Sequence, residues 1–228
     1  MRFNSGQLRN IALRCAVLGL LLCSACASPT FRTHYKPVVF DAERKKLSLE
    51  YMEKRHGLVQ DSPYIKPKMI VLHWTAIPTL EQSFDAMNPV HLPGSRSNLG
   101  AVSALNVSAQ FLVDRDGTIF QQLPDTAFAR HVIGLNHSAI GVENVGSAKS
   151  PLTKAQLKAN EELIRYLTKR YGIEYLIGHY EYKLFIGHEL WKESDPNYLT
   201  EKTDPGESFM QKIRKRTKDL ELKGPPAR

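Results

Sequence analysis

Cysteine is scarce in this chain of 228 residues and is confined to its beginning. The three cysteines are Cys15, Cys23 and Cys26, and none follows them. The chain beyond them can form neither a disulfide nor a cysteine-ligated metal site, so its fold must rest on a core and on other metal ligands. Long apolar runs are also missing, because the nine residues from Cys15 to Cys23 fall far short of the roughly 20 that span a membrane.

Acidic residues are the minority charge, with 23 Asp and Glu against 31 Lys and Arg, which gives a net charge of +8. Residues 1–25 contain three arginines and no acid, so the rest of the chain carries +5. That charge favours an anionic partner but is too small to indicate nucleic acid, and we expect no nucleic-acid binding. A hydrophobic fraction of 42% excludes a disordered or collagen-like chain and indicates a soluble globular one.

The first 25 residues have the composition of a signal peptide. Arginines precede a short apolar run that ends in the small residues Ser24 and Ala25. The segment LLCSAC resembles a bacterial lipobox, which makes Cys26 the lipidated new N-terminus, although Cys23 stands where Leu is usual. A plain secretory signal cut nearby is the alternative.

Export follows from either interpretation of the leader. Ala27, and not Asp, follows Cys26. By resemblance to lipoprotein sorting, this predicts a lipid anchor on the periplasmic side of the outer membrane of a Gram-negative cell. Without lipidation, we expect a soluble periplasmic or secreted protein.

Turn and capping signals divide the remaining sequence into a tether with one helix over residues 26–65, a domain over 66–218 and a tail over 219–228. Predicted strands and helices are mixed along this sequence and share one hydrophobic core. This pattern predicts an α/β (α+β) fold with a mixed sheet. The predicted strands are 68–75, 107–113, 118–123, 139–145 and 175–178, and the predicted helices are 41–57, 79–87, 153–172 and 207–218.

Three polar residues lie where these elements end. His73 closes one apolar strand, His179 closes another, and Asp204 directly precedes a helix. Two imidazoles and a carboxylate that met at one rim of a sheet would make a three-ligand zinc site with an open position. Histidines that serve only in packing are the alternative, and the wide spacing of the residues leaves both interpretations open.

Four short motifs occur in a specific order: LHWTA at 72–76, IGVEN at 140–144, IGH at 177–179 and KTDPG at 202–206. In this order they resemble the type 2 N-acetylmuramoyl-L-alanine amidases, in the superfamily shared with phage lysozyme-amidases and peptidoglycan recognition proteins. The resemblance covers residues 66–216. It implies a central mixed β-sheet with helices on both faces.

The resemblance also implies a catalytic site. His73, His179 and Asp204 match the family's zinc ligands, Glu143 matches the carboxylate that acts on the attacking water, and Lys202 matches a basic residue that steadies the oxyanion. The implied reaction is zinc-dependent hydrolysis of the amide bond between N-acetylmuramic acid and L-alanine, in peptidoglycan or its muropeptide fragments. The alternative is a non-catalytic peptidoglycan-binding module of the same fold.

Three further residues are implied to contact substrate. His131 in ARHVIG resembles the histidine of the family's WHAG motif, with Arg130 where Trp is often found. Gln110 stands where relatives commonly have His, and Trp74 belongs to the LHWTA motif.

The sequence departs from the family pattern after His179, because 25 residues separate this histidine from Asp204. Residues 180–201 are rich in aromatics and predict either a wall of the substrate groove or a packed surface excursion. They also repeat the motif IGH at 186–188, so His188 is a rival ligand, but the position of 175–178 directly after a helix favours His179. The basic run KIRKR at 212–216 indicates either contact with anionic glycan or a solvated helix face.

Overall fold

A computed structural model describes residues 32–94 and 102–227, which belong to one compact unit. The signal peptide and Cys26 lie outside the described residues, so export and lipidation stay predictions, as do the domain boundaries. Within the described ranges, no helix combines the length and apolarity needed to cross a membrane.

A six-stranded mixed sheet forms the centre of the unit. Its strands are β1 His34–Tyr35, β2 Met69–Leu72, β3 Phe111–Val113, β4 Ile119–Gln121, β5 Ala139–Asn144 and β6 Tyr175–Gly178. The spatial order is β1-β4-β3-β5-β2-β6, and every neighbouring pair is parallel except the β3–β4 hairpin. The predicted hairpin is confirmed, and Asp114 N donates to Thr118 O at 2.9 Å across its turn.

Some predicted strands are longer than the observed ones. The prediction over 107–113 shortens to β3, which begins at Phe111. The preceding segment bonds outside the sheet, because Ser108 N donates to the carbonyl of Arg130 at 3.1 Å.

Within residues 32–94 and 102–227, four α-helices surround the sheet: α1 Ala42–His56, α2 Leu80–Met87, α3 Lys154–Tyr171 and α4 Glu207–Arg216. The starts of α2 and α3 follow the predicted capping residues Thr79 and Thr153. In α3, Thr153 and Gln156 form both hydrogen bonds of a capping box, and Gly172 ends the helix in the left-handed conformation at φ 64°. The predicted fourth helix ends at Arg216 and continues as a short 3₁₀ helix, Lys218–Leu220.

Both faces of the sheet are covered, because all four residues of β2 are buried. Met69 and Val71 point to one face, where they pack with Tyr182 and Phe185 of a 3₁₀ helix, His179–Phe185. On the opposite face, α3 packs against α4 and its Asn160 donates to the side chain of Asn144 in β5 at 2.7 Å. Residues of α1 and α2 border the pockets on the first face.

An ion pair joins α4 to the end of β6. The Arg214 guanidinium donates to both carboxylate oxygens of Glu181 at 2.9 and 2.5 Å, and Gly178 N donates to the same carboxylate at 2.8 Å. The Glu181 side chain is 8% exposed, so its charge depends on these donors. The pair therefore fixes the turn that carries His179.

Glu181→Ala is expected to lower the free energy of unfolding by about 2–3 kcal/mol, because it leaves the half-buried Arg214 without its partner. Urea denaturation measures this loss. The matched control is Glu162→Ala, which removes an exposed pair with Lys158 and should cost less than about 1 kcal/mol. Equal losses in the two variants would contradict a structural role for the Arg214–Glu181 pair.

Candidate active site

The register of the central strands places three predicted site residues side by side at the carboxyl ends of β2, β5 and β6. Leu72 of β2 lies opposite Val142 of β5 and Gly178 of β6. The next residues along these parallel strands are His73, Glu143 and His179. Because side chains alternate along a strand and register partners share a face, all three side chains leave the same face at the carboxyl edge.

Asp204 reaches this edge from the loop before α4. Its carbonyl accepts a hydrogen bond from Tyr180 N at 3.1 Å, which ties the loop to the 3₁₀ helix after β6. The Asp204 carboxylate lies 3.1 Å from Nδ1 of both His73 and His179, and these two nitrogens are 2.9 Å apart. All three residues are buried. The structure thus brings together the three predicted metal ligands, which lie 106 and 25 residues apart in sequence.

A third histidine, His131, contacts the ring of His73 on the side away from Asp204. His131 Nε2 lies 3.2 Å from the carbonyl of Ala139, and His131 Nδ1 lies 3.0 Å from Nε2 of His73. A carbonyl only accepts, so His131 carries its proton on Nε2 and offers Nδ1 as an acceptor toward Nε2 of His73. A proton on Nε2 of His73 satisfies this acceptor, and Nδ1 of the same ring points toward Asp204.

The donor set fits a divalent cation. Nδ1 of both histidines and an Asp204 oxygen lie within 3.1 Å of one another, so one cation can contact all three atoms. Two imidazoles and one carboxylate are a ligand set that zinc accepts in catalytic sites. The outer hydrogen bond to His131 is the kind of support that orients a metal-binding histidine.

Burial and neighbouring charge set the protonation states. Burial, followed by the effect of His73, lowers the pKa of His179 to about 4, and the same two causes hold the pKa of His131 well below its usual value. Burial alone raises the pKa of Asp204, but the contacts with His179 and His73 outweigh it and hold the pKa below its usual range. At neutral pH the cluster therefore offers neutral His179 and an ionised carboxylate, as a metal requires.

A pocket of about 330 Å³ opens over this cluster, and we call it the reaction pocket. Glu143, Lys202, Trp74 and His131 line it together with the three clustered residues. It therefore combines a carboxylate that can take a proton, an ammonium group that can stabilise a developing negative charge, and a possible cation site. These are the components that hydrolysis of an unreactive acyl compound needs.

His188 lies apart from the cluster. Its Nε2 is 3.4 Å from the hydroxyl of Tyr175, and its Nδ1 accepts from Leu190 N at 3.2 Å. The geometry therefore favours His179, as the placement of β6 predicted.

The aromatic insertion over 180–201 packs on the core, and its alternative role as a wall of the substrate groove stays a prediction. Trp191 stacks on Tyr182 with ring centroids 6.2 Å apart, which packs the insertion onto the core. Tyr198 borders a recess of about 70 Å³ beside His131 and His179, and its hydroxyl accepts from Arg130 at 3.2 Å.

Gln110 does not fit its predicted contact with substrate. Its side chain is fully buried, donates to the carbonyl of Ala127 at 2.7 Å and accepts from Gly141 N at 2.7 Å. Both ends of the amide are thus used inside the protein, where Gln110 joins Gly141 of β5 to Ala127 in the segment after β4. The sequence showed the residue but not that its partners would be backbone groups.

Sequence reasoning also missed the contribution of α2 and of Arg130 to the reaction pocket. Ser83 and Met87 of α2 line its wall opposite the strand ends. Helix propensity and capping located α2, but neither indicates which side of the helix faces a site.

His131→Ala is expected to weaken zinc affinity by about 10- to 100-fold, because His73 loses the acceptor that fixes its tautomer. Gly141→Ala should act in the same direction, since its Cβ would lie 2.8 Å from Cγ of His131. Competition with a coloured chelator measures both affinities. Exposed His91 supplies the control, and an affinity as weak in His91→Ala as in His131→Ala would contradict this role.

Comparison with known proteins supports the family described by these motifs. The family model described as Amidase_2, N-acetylmuramoyl-L-alanine amidase, matches residues 63–207. None of the curated proteins matches the chain.

Solved structures with a similar arrangement have low sequence identity to this chain. The N-acetylmuramoyl-L-alanine amidase LysC from Clostridium intestinale URNW is 23% identical, with a TM-score of 0.49, over 70% of this chain and 88% of that one. The Ph2119 endolysin from a Thermus scotoductus MAT2119 bacteriophage is 22% identical, with a TM-score of 0.46, over 72% and 93%. Human PGRP-IβC in complex with glycosamyl muramyl pentapeptide is 17% identical, with a TM-score of 0.47, over 69% and 88%.

The family model covers well over half of the chain and includes β2 to β6, the clustered histidines and Asp204. The chain therefore belongs to the Amidase_2 family of N-acetylmuramoyl-L-alanine amidases.

Proposed function

We propose that this protein is a zinc-dependent amidase that cleaves the bond between N-acetylmuramic acid and L-alanine in peptidoglycan or its fragments. The observation that carries the proposal is the convergence of His73, His179 and Asp204 within 3.1 Å of one another. Glu143 leaves the same strand edge, in a chain of the amidase family.

Each residue has a defined task in this reaction. His73, His179 and Asp204 would hold zinc, which when bound lowers the pKa of water and polarises a carbonyl. Glu143 takes the proton of the attacking water and passes it to the leaving amine. Lys202 places positive charge where the tetrahedral oxygen forms, an effect typically worth about 3 kcal/mol.

The pocket's construction suits this chemistry. The amide is a weak electrophile, so both an activated water and a stabilised oxyanion are required. Trp74 forms a wall of the reaction pocket beside His73, and we propose that it packs against substrate. His131 acts on the reaction through the orientation of His73.

Incubation of the purified protein with muropeptides, with and without a chelator, tests the proposal. We expect release of free stem peptide, loss of release on chelation and recovery on addition of zinc. Binding of muropeptides without release, in protein that holds zinc, would indicate the non-catalytic module and overturn the amidase. The presence of all three ligands, Glu143 and Lys202 in one pocket favours the enzyme.

We further propose that the protein is exported and anchored in the outer membrane through a lipid on Cys26. The leader composition and the LLCSAC segment support this. Mass spectrometry of the mature N-terminus tests it: a lipid-modified Cys26 is expected, and an unmodified N-terminus from plain cleavage would contradict the anchor.

A further inference from the structure

A second groove lies beside the reaction pocket, and we call it the cationic groove. Its volume is about 810 Å³, and it runs between the loop after β5, the start of α3 and the helix α4. Trp74 lines both the reaction pocket and the cationic groove. The indole packs over Gly206, where an added Cβ would lie 3.4 Å from the ring, so the two spaces meet at this side chain.

The cationic groove combines an apolar floor with a positive rim. Leu157 of α3 and Phe209 of α4 are buried beneath it, with Leu152 at its side. Its rim carries Lys154, Lys212, Lys215 and Arg216, and its lining among the described residues contains no carboxylate. Such a lining suits a ligand that carries small apolar side chains and several negative charges.

The structure separates the roles of the KIRKR run. Arg214 faces the interior, where it bonds to Glu181, and Arg216 forms an ion pair with Glu161 at 2.9 Å. Lys212 and Lys215 line the cationic groove, are exposed, and form no ion pair within the described part of the chain. Within the KIRKR run, these two lysines are therefore the cations whose charge no described acidic side chain compensates.

We propose that the cationic groove binds the carboxylate-bearing peptide on the amine side of the scissile bond, an inference that rests on the proposed function. The sugar next to that bond is neutral, because its lactyl carboxyl is consumed in the amide. The peptide keeps free carboxylates, so charge complementarity assigns the peptide to this groove and not the sugar. Trp74 then marks the passage from the reaction pocket to the peptide's binding site.

Equilibrium binding of a synthetic acidic stem peptide without sugar tests the assignment. The variant Lys212→Gln/Lys215→Gln should bind this peptide about fivefold more weakly than the unaltered protein. The control Lys169→Gln/Lys218→Gln removes the same charge from exposed positions outside the groove and should bind within twofold of it. A Lys212→Gln/Lys215→Gln variant that binds the peptide as tightly as the unaltered protein overturns the proposal. An equal loss of affinity in both double variants also overturns it.

A peptide with its carboxylates converted to carboxamides supplies the second arm. The Lys212→Gln/Lys215→Gln variant should lose less than twofold in affinity for it, and a fivefold loss would show that the carboxylates are not what the lysines recognise. Because binding requires no hydrolysis, this test is separate from the amidase assay. Lysine-dependent binding without hydrolysis would overturn the enzyme alone, and hydrolysis with lysine-independent binding would overturn the groove alone.

Discussion

His179→Ala is expected to lose both bound zinc and hydrolysis, whereas His188→Ala keeps both. The two histidines follow the same dipeptide, Ile-Gly, so the comparison changes the same local sequence at two places. His179 Nδ1 lies 3.1 Å from the Asp204 carboxylate, and His188 bonds instead to Tyr175 and Leu190. Only the first change removes a ligand atom from the cluster.

The loss in His179→Ala should be large. Without the metal, water keeps a pKa of about 15.7 at the moment of attack, and we expect turnover to fall by at least about 1,000-fold. Elemental analysis should find less than about a tenth of the normal zinc per chain, because a three-ligand site cannot hold the ion tightly with two. Normal zinc in His179→Ala, or loss of zinc in His188→Ala, would contradict the assignment.

Glu143→Gln should separate catalysis from metal binding. The amide keeps the shape of the side chain but cannot take a proton, so we expect a fall in kcat of about 100- to 10,000-fold at neutral pH. Zinc content should be unchanged, since Glu143 is not among the three clustered donors. Steady-state rates of stem-peptide release, together with zinc analysis of the same sample, measure both.

The control for this change is Glu189→Gln, at an exposed position outside the reaction pocket. It should hydrolyse muropeptides at the normal rate. A Glu143→Gln variant that holds zinc and turns over at the rate of the control would remove the general-base role.

Local patterns in the sequence were sufficient to predict most of the elements. The capping pair Thr153 and Gln156 and the terminal Gly172 set both ends of α3, because each depends on residues within one turn. The β3–β4 hairpin follows from the turn residues between its strands. The position of His73 and His179 at strand ends left their meeting open, and the resemblance of the motifs implied it; the structure shows that β2 and β6 are parallel neighbours, which share an edge.

Other features could not be predicted because their partners are distant in sequence. Gln110 is exposed or buried according to whether Ala127 and Gly141 lie beside it, and no local pattern specifies that. The ring of His131 bonds to His73 and Ala139, 58 and 8 residues away, which no local pattern indicated, and its contact with substrate stays a prediction.

The basic run at 212–216 shows the same limitation on one helix. Sequence alone makes Arg214 and Lys215 equivalent cations. Their difference comes from Glu181, which lies 33 residues before Arg214 and takes up its charge. Helical periodicity separates the faces, but only the packing of α4 shows which face meets the cationic groove.

The central claim is that His73, His179 and Asp204 bind one zinc ion. A crystal structure of the zinc-loaded protein, with an anomalous difference map at the zinc edge, tests it most directly. We expect one strong peak at about 2.0–2.2 Å from Nδ1 of both histidines and from the Asp204 carboxylate. A zinc peak at His188 would contradict the claim. So would zinc-containing protein with no peak between His73, His179 and Asp204.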